Sequence, residues 1–184
     1  MEKLILLNRP QKACLLREQL GFTLIELLVT ISILAILLAI AVPNLITFIQ
    51  NNRVTSQTND LVTAFSYARS EAIKRGVRVT VCSRATDVAC AGSITWDTGW
   101  LVFVDTNGNG AVDGEAVLLV RQPLENGNTL RAGVRQRVTY QNTGFSGFAD
   151  TFNLCDIRGT ATGRAITLNR QGRVSTAVGA TACP

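Results

Sequence analysis

Glu26 is the only charged residue in a mostly apolar run from Phe22 to Ile49. A charge at the centre of a membrane span costs about 2.5 to 3.5 kcal/mol on insertion scales, and such residues are usually paired and functional. Cleavage of the chain after Gly21 would create an α-amine on Phe22, one helical turn from the Glu26 carboxylate. We therefore predict that Glu26 pairs with this amine, or with that of a neighbouring chain, during assembly.

A second group of polar side chains lies in the stretch DTNGNGAVDGE, residues 105–115. Its oxygen-bearing side chains are spaced like those of a calcium loop with a turn at Gly110. These side chains are Asp105, Asn107, Asn109 and Asp113. The position that needs a bidentate glutamate is Ala116, because Glu115 comes one residue early. The sequence favours a polar hairpin turn, with weak calcium binding as the alternative.

Five cysteines are present, and Cys14 precedes the apolar run while Cys82, Cys90, Cys155 and Cys183 follow it. An even set in an oxidising compartment predicts two disulfides, for which three connectivities are possible. We favour Cys82 with Cys90, which closes a short loop, and Cys155 with Cys183, which ties down the C-terminus. Free buried thiols are the alternative. Zinc is disfavoured because the sequence has no histidine and no CxxC spacing.

The C-terminal part of the chain is rich in arginine. From Arg121 onward there are eight arginines, no lysine and three acidic residues, which give a local net charge of +5. The planar guanidinium suits phosphate recognition, so Arg158, Arg164, Arg170 and Arg173 are candidates for DNA binding. The first two would lie near the others if their strands pair. A solvated basic face or salt bridges between subunits is preferred, because no aromatic residue is interleaved to stack on bases.

Motifs for catalysis are absent from the sequence. There is no histidine, no phosphate loop and no Gly-x-Ser-x-Gly nucleophile motif, and the only clustered carboxylates lie in the hairpin, where solvent reaches them. The sequence therefore predicts a protein that is not an enzyme, has no cofactor and holds no metal beyond the calcium alternative.

The elements that position these residues begin with a membrane span. As a helix, residues 22–49 would be about 40 Å long, enough to cross a hydrocarbon layer of roughly 30 Å. The preceding residues carry Lys3, Arg9, Lys12 and Arg17, which favour the cytoplasmic side. We therefore predict a leader peptide at 1–21, a membrane-spanning helix at 22–49, and a periplasmic globular domain at 50–184.

Beyond the span, residues 51–76 predict an amphipathic helix that packs on a sheet. One stripe has apolar spacing of three or four residues: Val54, Thr58, Leu61, Phe65, Ala68 and Ala72. Gly76 is a candidate C-terminal cap, and Pro43 is expected to bend the helix. Strands are then predicted at 77–82, 93–105, 116–124, 135–141, 150–157, 164–169 and 172–178. The fold class is α+β, with one long helix on an antiparallel β domain.

The stretch GFTLIELLVTISILAILLAIAVPN resembles the N-terminal signature of type IV pilins and type II secretion pseudopilins. In that family a prepilin peptidase cuts after the glycine and N-methylates the new N-terminal phenylalanine, which correspond here to Gly21 and Phe22. Glu26 matches the glutamate that directs docking into a growing helical filament. Pro43 matches the proline that bends the long helix. The resemblance implies a type IV pilin fold.

The segments ARSEAIKRG, GWLVFVDTNGNG, FNLCDIRG and LNRQGRV are similar to the GspH/FimT branch of this superfamily. This resemblance implies a structural subunit at or near the tip of a type IV pilus or a type II secretion pseudopilus, and it leaves those two machines open. The implied partners are other minor and major pilins or pseudopilins, the inner-membrane assembly platform, and the prepilin peptidase as processing enzyme.

Some minor pilins of this branch bind DNA during natural transformation through a C-terminal Gly-Arg-x-Arg element. Gly172 and Arg173 match this element, but Ser175 stands in place of the second arginine. Arg170, just before the glycine, is a partial substitute. DNA uptake is therefore kept as the alternative function to a purely structural subunit.

Overall fold

The computed structural model describes residues 21–183, so the predicted leader lies outside the described residues except for Gly21. Within them, one helix, α1 (Leu24–Arg75), precedes all of the strands. The chain divides into two units, residues 1–43 and 44–184. α1 runs without interruption through Pro43, and the bend expected there stays a prediction.

In the N-terminal unit, α1 begins with a capped first turn. The Glu26 N–H donates to Thr23 Oγ1 at 3.2 Å, and the Leu27 N–H donates to the Thr23 carbonyl at 3.1 Å. Farther along, the hydroxyls of Thr30 and Ser32 donate to carbonyls of the preceding turn. These polar groups are therefore satisfied within the helix itself, as an apolar environment requires.

In the second unit, the rest of α1 confirms the predicted amphipathic stripe. Val54, Thr58, Leu61, Phe65, Ala68 and Ala72 are all buried. The helix ends at Arg75, and Gly76 follows with a φ of 69° while its N–H donates to the Ala72 carbonyl at 3.0 Å. Glycine adopts this left-handed conformation without a side-chain clash, so the predicted cap is confirmed.

Nine strands follow α1 in the described residues. They are β1 (Val79–Thr86), β2 (Ala89–Cys90), β3 (Trp100–Val104), β4 (Val117–Arg121), β5 (Thr129–Ala132), β6 (Arg137–Tyr140), β7 (Asp150–Cys155), β8 (Arg164–Leu168) and β9 (Val174–Val178). One sheet has the order β2-β1-β3-β4 with β6 also paired to β1, and the second has the order β5-β7-β8-β9. All of these strand pairs are antiparallel, as predicted.

The single strand predicted for residues 93–105 is wrong. β3 begins only at Trp100, and the chain before it makes a turn in which the Gly99 N–H donates to the Trp96 carbonyl at 3.1 Å. Gly99 has a φ of 95°, and a Cβ there would lie 2.0 Å from the Arg121 carbonyl oxygen. Residues 94–96 instead pair with β5, a strand that the sequence reading missed because it is only four residues long.

The main core contains residues of α1 and of both sheets, and three aromatic side chains pack together within it. Phe65 of α1, Trp96 of the turn and Phe152 of β7 are fully buried and lie with ring centroids 5.0 to 6.3 Å apart. Each such pair contributes about 0.5 to 1.5 kcal/mol beyond the burial of its area. The amphipathic half of α1 is therefore fixed against the β-sheets by close packing.

Candidate assembly site

The N-terminal site consists of Gly21, Phe22, Thr23 and Glu26. Phe22 is 85% exposed, and Glu26 is exposed in the first turn of α1. A carboxylate at this place interacts favourably with the helix dipole, by about 0.3 to 1 kcal/mol. The sequence reading missed the cap on Thr23, although its spacing to Glu26 is that of a capping box before an apolar run.

The apolar residues that follow this site have no cover within the described chain. All of the residues from Gly21 to Ile49 are exposed, and among the described residues α1 is the one helix long and apolar enough to cross a membrane. An apolar surface of this extent marks a site for lipid or for other protein chains. The exposed Glu26 carboxylate lies at one end of this surface.

The four cysteines after the span form two disulfides in the structure, with the pairing that the sequence favours. Cys82 joins Cys90 with their Cα atoms 5.7 Å apart, and Cys155 joins Cys183 at 5.8 Å. Cys82 is buried beside Leu101 and Phe103 in a small second core. The second disulfide holds the C-terminal residues against the end of β7.

The polar loop of residues 105–115 connects the antiparallel strands β3 and β4. Asp105 is buried, and its Oδ2 accepts hydrogen bonds from Thr80 Oγ1 at 2.6 Å and from the Gly110 N–H at 3.1 Å. The Asn107 and Asn109 side-chain oxygens accept backbone N–H groups two residues on, and both amide groups face Asp113. These side chains therefore hold the hairpin turn by hydrogen bonds. The prediction that solvent reaches the carboxylates of this hairpin is wrong for Asp105, because it is buried against Thr80.

The acidic side chains of the described residues offer no ready metal site. Among residues 21–183, no group of three or more His, Cys, Asp or Glu side chains is placed to hold a metal ion. Glu115 accepts hydrogen bonds from the N–H and the hydroxyl of Thr106, so it serves the hairpin. Calcium binding at this loop stays an untested prediction.

Two C-terminal arginines are neutralised by acids from earlier in the chain. Arg121 pairs with Asp60 of α1 at 2.7 Å, and Arg131 pairs with Asp97 at 2.9 Å. Arg135 lies over the Phe148 ring, 4.0 Å from its centroid. The net charge counted from Arg121 onward therefore overstates the free positive charge of this part of the fold.

The candidate DNA-binding arginines are not brought together. Arg170 and Arg173 are exposed on the turn between β8 and β9, whereas Arg164 is bridged to Gly179 at the opposite end of this hairpin. Four residues separate Arg164 from Leu168, roughly 13 Å along a strand. The expectation that strand pairing would place Arg164 near Arg170 and Arg173 is wrong. Arg164 lies at the open end of the hairpin, whereas Arg170 and Arg173 lie in its turn.

Arg158 is bonded to two neighbouring side chains, Asp156 and Asn51. Its Nη2 lies 2.5 Å from Asp156 Oδ2, and its Nη1 donates to Asn51 Oδ1 of α1 at 2.9 Å. Burial alone would raise the pKa of the Asp156 carboxyl, but hydrogen bonds from Arg158 and Thr162 outweigh it and hold that pKa below its ordinary value. The sequence reading missed Asp156 and Asn51 as partners of this arginine.

An apolar N-terminal helix with a glutamate in its first turn, whose later part packs on antiparallel sheets, defines the class of type IV pilin-like filament subunits. Two family models match within this chain. The model described as "Type II transport protein GspH" matches residues 57–172, and the model of the "Prokaryotic N-terminal methylation motif" matches residues 16–42. The chain belongs to the GspH family, and its role is that of a minor pilin or pseudopilin.

Solved structures agree on the fold. Two crystal forms of the type IV minor pilin FimU from Pseudomonas aeruginosa (strain PAO1) match with TM-scores of 0.59 and 0.56, each at 18% identity. The matches cover 74% and 71% of this chain and 99% of each FimU chain. No curated protein sequence matches significantly. These findings confirm the type IV pilin fold, and none of them supports the alternative of DNA uptake.

Proposed function

We propose that the chain is made as a prepilin, cleaved after Gly21, N-methylated on Phe22, and built into a filament through its N-terminal helix. The prepilin peptidase is the proposed processing enzyme. Glu26 neutralises an N-terminal amine as the subunit docks, either its own or that of the preceding subunit. The observation that supports this proposal is an exposed carboxylate four residues after Phe22, at the start of an apolar helix that no other described part of the chain covers.

Before assembly, residues 22–49 hold the subunit in the bacterial inner membrane, and residues 50–184 form one domain in the periplasm. The four leader cations support this orientation, since Lys and Arg are retained on the cytoplasmic side. The disulfides support it as well, because they persist in an oxidising compartment. Other minor and major pilins or pseudopilins, together with the inner-membrane assembly platform, are the proposed partners. We assign the chain no catalytic role.

The test of this mechanism is Glu26→Ala in cells that lack the native copy. The variant should insert into the membrane and be processed normally, while its amount in sheared filaments falls at least about tenfold, because an unpaired amine would stay in an apolar core. Glu125→Ala is the matched control, since Glu125 is an exposed acid outside the helix. Normal levels of the Glu26 variant in filaments would overturn the proposed role of the carboxylate.

Helix capping is the competing explanation for Glu26, and Thr23→Ala separates the two. This change removes the Thr23 Oγ1 acceptor, at a cost of about 1 kcal/mol to the helix start, but leaves the carboxylate in place. Filament incorporation should then be largely retained. An equal loss in both variants would mean that Glu26 acts by stabilising the first turn.

We further propose a position at or near the filament tip. The choice between a pilus and a secretion pseudopilus is tested by deleting the gene and scoring surface pili and secreted protein in parallel. Loss of pili alone assigns the pilus, and loss of secretion alone assigns the pseudopilus. Unchanged pili and unchanged secretion would contradict a required role in either machine.

A further inference from the structure

The turn of residues 156–159, after β7, has an exposed isoleucine and is held in place by hydrogen bonds. Asp156 Oδ1 accepts the Arg158 N–H and the Thr162 hydroxyl, each at 3.0 Å, and the Gly159 N–H donates to the Asp156 carbonyl at 3.1 Å. The Asp156 side chain is almost wholly buried by these contacts. Ile157, the next residue, is 82% exposed. The turn is therefore held by its polar residues while its one large apolar side chain faces outward.

This turn lies beside the part of α1 where the apolar run ends. Arg158 Nη1 is bonded to Asn51 Oδ1, and Ile157 lines the same surface hollow as Gln50 and Arg53. Gln50 directly follows the exposed apolar residues of this unit, which end at Ile49. At 1.5 Å per residue, Asn51 lies only about 3 Å along the helix beyond Ile49.

The height of the bilayer interface follows from the lengths of the helix and the hydrocarbon core. The core takes up about 20 residues of helix, so a core that ends at Ile49 begins near Thr30. The headgroup region adds roughly 5 to 7 Å on each side of the hydrocarbon core, so groups at the level of Gln50 to Arg53 fall within it when the span ends at Ile49. Isoleucine gains from contact with acyl chains, and arginine side chains near a span end reach toward headgroups. The Arg158 charge is already balanced by Asp156, so little charge has to be desolvated there.

We propose that the turn of residues 156–159 is a second membrane contact, with Ile157 inserted into the lipid interface while the subunit is held by its N-terminal helix. Arg53 lines the same hollow as Ile157. This inference rests on the proposed membrane anchorage. The contact limits how the domain can rotate above the membrane, and it is lost when the subunit leaves the bilayer for the filament.

The experiment places an environment-sensitive fluorophore on a single cysteine in the full chain. In a Cys14→Ser background with both disulfides intact, Ile157→Cys is labelled and reconstituted into vesicles of phosphatidylethanolamine with a minority of phosphatidylglycerol. Val134→Cys is the matched control, because Val134 is 70% exposed and its N–H bonds to Asp150 at the far end of β7. Iodide in water and a spin-labelled lipid are the two quenchers.

The probe at residue 157 should show blue-shifted emission, strong quenching by the spin-labelled lipid, and iodide quenching about threefold weaker than at residue 134, since lipid would shield an inserted side chain from ions in the water. Equal iodide quenching at the two sites would overturn the inference. Protection that vanishes when the protein is diluted in excess lipid would overturn it too, because the occupant would then be another subunit. Alkaline extraction tests the anchorage separately, since a chain released by it would contradict the proposed function itself.

Discussion

Removal of the Cys155–Cys183 disulfide should destabilise the domain more than removal of Cys82–Cys90. The Cys155–Cys183 disulfide closes a separation of 28 residues, and the Cys82–Cys90 disulfide closes one of 8 residues. A cross-link lowers the entropy of the unfolded chain by an amount that grows with the logarithm of the loop length. This relation gives about 3.6 kcal/mol for the longer loop and about 2.5 kcal/mol for the shorter one at 25 °C.

The perturbation is Cys155→Ala with Cys183→Ala in one variant, and Cys82→Ala with Cys90→Ala in the other. The measurement is the thermal midpoint of the full chain in mild detergent, followed by near-ultraviolet circular dichroism. For a domain of this size, 1 kcal/mol corresponds to roughly 3 to 5 °C, so loss of the longer loop should lower the thermal midpoint by about 11 to 18 °C. The two variants should differ by about 4 °C.

Packing must be separated from the cross-link, because Cys82 is buried beside Leu101 and Phe103 and loses contacts when it becomes alanine. The control repeats the measurement in a reducing buffer, where the wild type and both variants lack disulfides. The difference between each reduced variant and the reduced wild type reports the loss of side-chain contacts alone, and this difference is subtracted. If the corrected loss for the short loop still equals or exceeds that for the long loop, the loop-entropy reasoning is refuted for this domain.

Three further changes test the core, a turn and a charge pair by thermal unfolding. Phe65→Ala should cost about 3 to 5 kcal/mol, because it removes a fully buried ring. Gly99→Ala should cost at least about 2 kcal/mol more than Gly114→Ala, since both have a positive φ but only at Gly99 would a Cβ meet a carbonyl oxygen. The folded-state pKa of Asp156 is below its ordinary 3.8, so the ionised side chain stabilises the fold at neutral pH, and this stabilisation is lost as the pH falls below 3.8. The melting temperature of the wild type should therefore exceed that of Asp156→Asn by less at such a pH than at neutral pH. A difference that stays constant would contradict this reasoning.

Local patterns in the sequence were sufficient for the long helix and its ends. The stripe of α1 repeats every three or four residues over the whole second half, so its buried face could be assigned before the sheets were known. Gly76 follows two basic residues, Lys74 and Arg75, where helices commonly end. The stripe and the cap both depend on residues that are close in sequence, so both could be predicted without knowledge of the tertiary structure.

The break before β3 could not be predicted in the same way. Residues 93–105 contain the β-branched and aromatic residues typical of a strand, including Trp96 and Trp100. Their arrangement is set by long-range contacts: Trp96 packs between α1 and β7, and its N–H donates to the Leu130 carbonyl of β5. The division into two sheets follows from this turn, because residues 94–96 pair with the second sheet while β3 belongs to the first.

The distribution of free positive charge could not be predicted from the sequence either. Counted along the chain, the part after Arg121 looks strongly basic, but folding brings Asp60 and Asp97 from earlier segments against Arg121 and Arg131. Of the four candidate arginines, Arg158 is paired with Asp156, Arg164 lies at one end of the β8–β9 hairpin, and Arg170 and Arg173 lie at the other end. These four therefore form no continuous track along which a phosphate backbone could lie. Charge density in sequence therefore overestimated the case for DNA, and the evidence for function rests on the N-terminal helix and its glutamate.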